Sequence, residues 1–111
     1  MHGNNALAIA IRDGYPISDG HTLVIPRRHI ASIFETTDVE RQAIWELLDE
    51  SKNELNHSHK PNAYNIGIND GFAAGQTVPH LHIHLIPRYN GDVDDPRGGI
   101  RWIMPDKAKY W

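Results

Sequence analysis

The sequence predicts an α+β domain made of short strands and one long amphipathic helix. Its 111 residues are the length of one ordinary domain, so a single domain over residues 1–111 is expected. Several apolar, β-branched runs are too short for helices and end in Gly, Pro, Asn or Asp, which is typical of strands and turns. One longer segment instead has apolar residues at helical spacing.

The first two predicted strands are close together in the chain. Residues 6–12 form an apolar run that ends in the turn-forming residues 13–16. Residues 21–26 form a β-branched run that ends at a proline. Such neighbours favour an antiparallel pair. One helical turn is expected after them, over residues 30–34.

The helix is predicted to begin after Thr37, because Thr37 and Glu40 have the spacing of a capping box. It is expected to end within residues 56–61. Apolar residues recur at helical spacing and predict the buried face: Val39, Ala43, Ile44, Leu47, Leu48 and Leu55.

Three more strands are expected in the second half of the chain. Residues 63–69 and 80–87 are the third and fourth, and residues 100–104 form a last short strand before an irregular tail. The region between residues 92 and 99 is rich in turn formers.

Three histidines alternate with apolar residues in the fourth predicted strand. Successive side chains of a strand point to opposite faces, so His80, His82 and His84 share one face. The apolar residues that alternate with them, Leu81, Ile83 and Leu85, are expected in the core. The strand therefore presents polar chemistry on one side only.

Two other interpretations of the histidines remain open. Imidazole is a common metal ligand, but His80 and His84 lie roughly 13 Å apart along a strand, too far to share one ion. Two of these three histidines, together with His21, could still chelate a metal ion. The other interpretation is an exposed histidine-rich face that has no chemical role.

The loop over residues 69–77 contains two glycines, an amide and a hydroxyl directly before the histidines. Glycine-bearing turns can aim successive backbone N–H groups at an anion, which predicts a nest for phosphate. An ordinary hairpin connection is the alternative.

These residues resemble the histidine triad family. The resemblance rests on residues 75–79 followed by His-Leu-His-Ile-His-Leu-Ile, and on Asp13, residues 20–26, His29 and Asn69. It covers nearly the whole chain. It implies the α+β histidine triad fold: an antiparallel five-stranded sheet with one main helix, dimerised into a homodimer with one continuous sheet.

The resemblance also implies a mechanism in which His82 attacks the α-phosphorus of a nucleotide and forms a covalent nucleotidyl-histidine. A free imidazole has a pKa near 6.5, so it is mostly neutral at pH 7, and one nitrogen is available for attack when the other N–H is held. By similarity, His84 binds phosphoryl or leaving-group oxygens, and His80 and His21 complete the network around the nucleophile.

Four further residues are expected at the site by similarity. Thr77 assists the leaving group, Asn69 and Gln76 donate hydrogen bonds to phosphoryl oxygens, and Asp13 accepts them from the ribose hydroxyls. In this family the C-terminal region influences substrate choice, which makes Arg97 and Trp102 weaker candidates. Without the resemblance, Asp13 is better explained as a turn former.

The substrate suggested by the resemblance is a dinucleoside polyphosphate, because residues 78–79 and 87–88 are closest to that branch of the family. A phosphoramidase, a nucleotidyl transferase and a catalytically weak nucleotide-binding protein are the alternatives. No tightly bound cofactor or resident metal is expected, since the chain has no cysteine and no zinc-binding segment ahead of its first strand. A divalent cation would arrive with the substrate.

Composition argues against two classes of partner. The chain has 11 basic and 14 acidic residues and a formal net charge of −3, which is unfavourable for wrapping a nucleic acid polymer. No apolar run approaches the roughly 20 residues of a membrane span, and no secretory leader is recognisable. A cytoplasmic protein without membrane contact is expected.

Overall fold

A computed structural model of the chain describes residues 3–111. It contains one five-stranded antiparallel sheet with the strand order β1-β2-β3-β5-β4. A single long helix, α1, spans Asp38–Ser58. The strands are β1 (Gly3–Asn4), β2 (Ala8–Arg12), β3 (Thr22–Pro26), β4 (Ala63–Gly67) and β5 (Ile83–Arg88). The predicted α+β class, the five antiparallel strands and the one main helix are confirmed.

Helix α1 begins at the predicted capping box. The Thr37 hydroxyl accepts from the Glu40 backbone N–H, and the Glu40 side chain accepts from the Thr37 N–H. The guanidinium of Arg28 also donates twice to Glu40, at 2.9 and 3.0 Å. Mainly because of Arg28, the pKa of Glu40 is lowered to about 2. Val39 is the one member of the predicted buried face that is wrong: it lies in the first turn of the helix and its side chain is 63% exposed.

The sheet has one covered and one open face. Helix α1 packs on the covered face, where Val24, Ile83 and Leu85 are buried together with Leu47 and Leu55 of the helix. Side chains on the opposite face, among them those of Leu23 and His84, are only partly buried. The open face is therefore the part of the sheet that is available for a ligand.

One predicted strand is not a strand in the structure, and one strand of the sheet was not predicted. Residues 100–104 lie mostly in a 3-10 helix, Gly99–Ile103, because Gly98 and Gly99 have positive φ and Arg101 donates to the carbonyls of Lys107 and Ala108. The fifth strand is instead Gly3–Asn4, which pairs with β2. A segment of two residues carries no detectable alternation.

The fourth predicted strand begins later than expected. Its ladder starts at Ile83 rather than at residue 80, since the Leu81 N–H donates to the Ile30 carbonyl instead of to a strand. The predicted helical turn over residues 30–34 is a 3-10 helix at Ile33–Glu35.

Among residues 3–111, no helix combines the length and the hydropathy that crossing a membrane requires.

Candidate active site

A cavity of about 1170 Å³ lies over the open face of the sheet. Its walls come from the β2–β3 loop, from strands β4 and β5, from residues 77–78 and from the C-terminal residues 92–103. His21, His82 and His84 all line it. Elements that are far apart in sequence therefore meet around the histidines.

The predicted alternation of the histidines is present in the structure. Leu81, Ile83 and Leu85 are fully or almost fully buried, whereas His82 and His84 are half-buried on the open side. His80 has a different environment. It does not line the cavity, its Nε2–H donates to the Pro26 carbonyl at 2.8 Å, and its ring packs on that of His29.

The ring of His82 has a defined protonation at one nitrogen. Its Nδ1 lies 2.9 Å from the backbone carbonyl of His80. A carbonyl only accepts, so Nδ1 carries the proton, and Nε2 of the neutral ring keeps a free lone pair. This is the arrangement that a nucleophilic imidazole requires.

His21 and His84 form a second hydrogen-bonded pair. The Ile17 N–H donates to Nδ1 of His21 at 3.2 Å, so the proton of the neutral His21 ring is on Nε2. That Nε2–H lies 2.9 Å from Nδ1 of His84 and 3.5 Å from Oδ2 of Asp13. His84 therefore keeps its own proton on Nε2 and acts as a donor.

Burial holds both members of this pair in the neutral form. It lowers the pKa of His21, with Asp13 opposing the shift. It also lowers the pKa of His84, and the neighbouring His21 and His82 act in the same direction. At pH 7 both rings are then uncharged, and their tautomers are set by the contacts above.

The other predicted site residues separate into two groups. Asp13, Asn69 and Thr77 line the cavity. Gln76 does not line it: its amide donates to the carbonyls of Ala31 and Val78 and accepts from the Gly71 N–H. The side chain of Gln76 thus holds the loop together, and a direct contact with substrate stays a prediction for it.

The loop over residues 69–77 is folded on itself. Gly71 and Gly75 have φ of 102° and 96°, but the N–H groups of Ala74, Gly75 and Gln76 bond to carbonyls inside the loop. Since the Gly71 N–H is also used, the predicted nest is wrong for these four donors. The hairpin-like alternative describes the loop better.

Three possible metal ligands lie close together in the structure. Of the residues that the structure describes, Asp13, His21 and His84 have potential ligand atoms within 4.8 Å of one another. Carboxylate oxygen and imidazole nitrogen suit a divalent transition metal. A metal at this position would have to displace the proton between His21 and His84.

The sequence did not predict how much the C-terminal region contributes. Residues 92–103 supply apolar and acidic lining, including Val93, Ile100 and Ile103. The signal in the sequence is the cluster of apolar residues at 100–104, whose local pattern predicts a strand. Arg88 and Asp92 also line the cavity, and they form an ion pair at 2.8 Å.

Comparison with known proteins identifies a related group. The sequence model of the HIT domain matches residues 2–91. An uncharacterized HIT-like protein of Mycoplasma genitalium is 41% identical over 87 residues, which cover 78% of this chain and 62% of that protein. A bis(5'-nucleosyl)-tetraphosphatase (asymmetrical) of Schizosaccharomyces pombe is 39% identical over 80 residues, covering 72% of this chain and 44% of that protein.

Solved structures agree with the fold. The crystal structure of a HIT family protein from Bacillus anthracis superposes with a TM-score of 0.77 at 36% identity, covering 81% of this chain and 64% of that one. In length, the match to the Mycoplasma genitalium relative covers only about three-fifths of that protein.

Proposed function

This chain belongs to the histidine triad (HIT) family, and on that basis we propose that it hydrolyses dinucleoside polyphosphates through a covalent nucleotidyl intermediate on His82. The observation that carries the proposal is the contact of His82 Nδ1 with the His80 carbonyl at 2.9 Å. It leaves a nucleophilic nitrogen in a cavity large enough for a nucleotide.

The reaction has two displacements at the same phosphorus. The Nε2 lone pair of His82 bonds to the α-phosphorus, the bond from that phosphorus to its bridging oxygen breaks, and the released nucleotide takes the electron pair. Water then attacks the phosphorus and loses a proton to the solvent, and the phosphorus–nitrogen bond breaks with its electron pair returning to Nε2, which frees neutral His82 and a mononucleotide. In this proposal the Nε2–H of His84 donates to a phosphoryl or leaving-group oxygen, and Thr77 and Asn69, which also line the cavity, are further donors.

The charged side chains that line the cavity are mainly acidic, and this affects whether the polyphosphate substrate binds with or without a cation. Four carboxylates line it, those of Asp13, Asp19, Asp92 and Asp95. Among the described lining residues Arg88 is the one basic side chain, and Asp92 already neutralises it. A bare polyphosphate would be repelled, so we propose that a divalent cation accompanies the substrate and that the protein itself holds no tightly bound cofactor.

The relative from Schizosaccharomyces pombe, which is named as a tetraphosphatase, supports the choice of substrate class. The same acidic lining favours a second candidate, cleavage of the phosphorus–nitrogen bond of a nucleoside phosphoramidate. In that reaction the leaving group is an amine, which carboxylates accommodate better than another phosphate.

The test compares hydrolysis of diadenosine tetraphosphate with Mg²⁺ by the wild type, His82→Asn and the control His57→Asn. His57 is exposed at the end of α1 and does not line the cavity. We expect kcat to fall by about 10⁴-fold or more in His82→Asn, as for other lost nucleophiles, and to be unchanged in His57→Asn. Full turnover by His82→Asn would refute the proposal.

Two parallel measurements separate the alternatives. Mass spectrometry of wild type quenched in alkaline denaturant, in which a phosphorus–nitrogen bond survives, should find one nucleotidyl group on the peptide that contains His82. The second measurement is kcat/KM for the tetraphosphate and for adenosine 5'-phosphoramidate. The substrate with the higher kcat/KM is the preferred one. A cytoplasmic location, and the absence of nucleic acid and membrane partners, stay predictions.

A further inference from the structure

The β2–β3 loop, residues 13–21, contains both His21 and the backbone N–H that bonds to its ring. The Ile17 N–H donates to Nδ1 of His21 at 3.2 Å, and this contact keeps the proton of the neutral His21 ring on Nε2. That proton is directed at Nδ1 of His84, 2.9 Å away. The position of the proton on His84 therefore depends on where the loop holds the backbone of Ile17.

The middle of this loop has little support of its own. Residues 14–17 are exposed, and the side chain of Ile17 is 75% exposed. The Tyr15 N–H donates to the Asp13 carboxylate at 2.8 Å, and the His21 N–H donates to the Ser18 carbonyl at 3.1 Å. Both bonds join loop residues to each other, so they shape the loop but do not hold it against the rest of the molecule.

One side chain from outside the loop holds it in place. The phenol O–H of Tyr89 donates to the backbone carbonyl of Asp19 at 2.6 Å. Among the hydrogen bonds that the structure describes, this is the one that joins residues 14–19 to a segment beyond the loop. The ring of His59 approaches the exposed Asp19 carboxylate only to 3.8 Å. Tyr89 is thus the main anchor of the loop.

The strand register explains why Tyr89 reaches the loop. Strands β3 and β5 are antiparallel, and Thr22 pairs with Leu85. Residues that precede Thr22 therefore lie beside residues that follow Leu85, which brings residue 19 next to the end of β5. Tyr89 comes directly after that strand, which ends at Arg88. The sheet itself thus brings together two groups that are 70 residues apart in sequence.

The Tyr89 hydroxyl keeps its proton at neutral pH. Burial raises the pKa of Tyr89, and the nearby Asp19 acts in the same direction, while Arg12 opposes the shift. A protonated phenol remains a donor to the carbonyl. Tyr89 also lines the cavity, so an action through the loop has to be distinguished by experiment from a direct contact with substrate.

We propose, resting on the function proposed above, that Tyr89 is a positioning residue for the reaction at phosphorus. Its hydroxyl holds the β2–β3 loop, so that the Ile17 N–H stays on the ring of His21. His21 in turn keeps the proton of His84 on Nε2, where it is a donor beside His82. Without the hydroxyl, the loop leaves this position for part of the time and the two rings lose their single tautomers.

The first test is spectroscopic and needs no turnover. Long-range ¹⁵N–¹H NMR of the histidine rings and amide hydrogen exchange compare wild type with Tyr89→Phe, which removes only the hydroxyl. We expect faster exchange of the Ile17 N–H, and ring ¹⁵N shifts of His21 and His84 that move toward a mixture of tautomers. His82 should stay in its Nδ1–H form. Unchanged exchange together with unchanged shifts of His21 and His84 would overturn the proposal.

The second test separates positioning from direct contact with substrate. On diadenosine tetraphosphate, Tyr89→Phe should lower kcat roughly tenfold, because a displaced donor no longer meets the charge of the transition state. In the His82→Asn background, calorimetry should find the same Kd for the tetraphosphate, within about twofold, with and without Tyr89→Phe. A weaker Kd with unchanged ring shifts would show that Tyr89 contacts the substrate itself, and would overturn the positioning role.

Tyr64→Phe is the matched control. The Tyr64 hydroxyl also joins two segments, since it donates to Asn56 of α1 at 2.7 Å, but Tyr64 does not line the cavity. This variant should leave the ring shifts unchanged and kcat within about twofold of wild type. An equal loss of kcat in both tyrosine variants would also overturn the proposal. A wild type that hydrolyses no nucleotide would refute the proposed function, whereas the spectroscopic test would still decide whether Tyr89 positions His21 and His84.

Discussion

The histidines around the cavity differ in which nitrogen carries the proton. Backbone groups determine three of them directly: the carbonyls of His80 and Pro26 hold the protons of His82 and His80, and the Ile17 N–H occupies Nδ1 of His21. The position of the proton on His84 follows from its contact with His21, whose Nε2–H donates to Nδ1 of His84. The result is a free Nε2 lone pair on His82 beside an Nε2–H donor on His84, although both are histidines and lie only two positions apart.

Long-range ¹⁵N–¹H NMR of the histidine rings at pH 7.5 tests this assignment. We expect His82 as the Nδ1–H tautomer and His21, His80 and His84 as Nε2–H tautomers, because a backbone carbonyl needs a donor and a backbone N–H needs an acceptor. The lowered pKa values of His21 and His84 keep these two rings neutral at this pH.

The His82→Asn variant assigns the key resonance by removing it. Observation of His82 as the Nε2–H tautomer would contradict the geometry and would leave no lone pair at the atom proposed to attack.

At the scale of single elements, the segment that carries the histidines is positioned by its apolar side. Leu81 is completely buried, its N–H donates to the Ile30 carbonyl at 2.7 Å, and it stands between His80 and His82. The buried Leu81 thus anchors the backbone next to His82 in the core. Leu47 of α1 is equally buried but does not adjoin a histidine.

We predict that Leu81→Ala and Leu47→Ala each lower the free energy of unfolding by about 2–5 kcal/mol, since each leaves a core cavity. Urea denaturation measures this loss. At a temperature where both variants remain folded, only Leu81→Ala should reduce kcat on diadenosine tetraphosphate, because only that cavity lies behind His82. Equal kcat values for the two variants would show that the core does not position the nucleophile.

At the scale of the whole molecule, strand β4 ends one side of the sheet and β1 the other. An edge strand offers unpaired backbone groups to a second chain. Strand β4 has five residues and exposes Ile66, whereas β1 has two. Edge pairing through β4 would produce the continuous sheet that the resemblance implied.

We therefore predict a homodimer, with a mass of about twice the 12.6 kDa of the chain, in sedimentation equilibrium at micromolar concentration. Ala63→Lys places a charge on the β4 edge and should shift the mass toward the monomer. Asn4→Lys, on the β1 edge, is the matched control and should not. A wild type that stays monomeric at all concentrations would refute the dimer.

The features that could be predicted from the sequence are those that depend on residues close together in the chain. The capping box of α1 spans four residues, and the alternation of His80, His82 and His84 with buried leucine and isoleucine needs only the geometry of an extended chain. The site residues Asp13, His21, Asn69 and Thr77 followed from the family resemblance, and the structure brings these four to one cavity with His82 and His84.

The sequence by itself determined the class of fold, the main helix and a one-sided row of histidines, because local spacing controls all three. Only the tertiary structure decided that His21 meets His84 across 63 residues, that the Gln76 amide bonds to backbone carbonyls, that Gly3–Asn4 completes the sheet and that residues 92–103 line the cavity. Those outcomes depend on strand register and on close packing between distant segments, which no short-range pattern specifies.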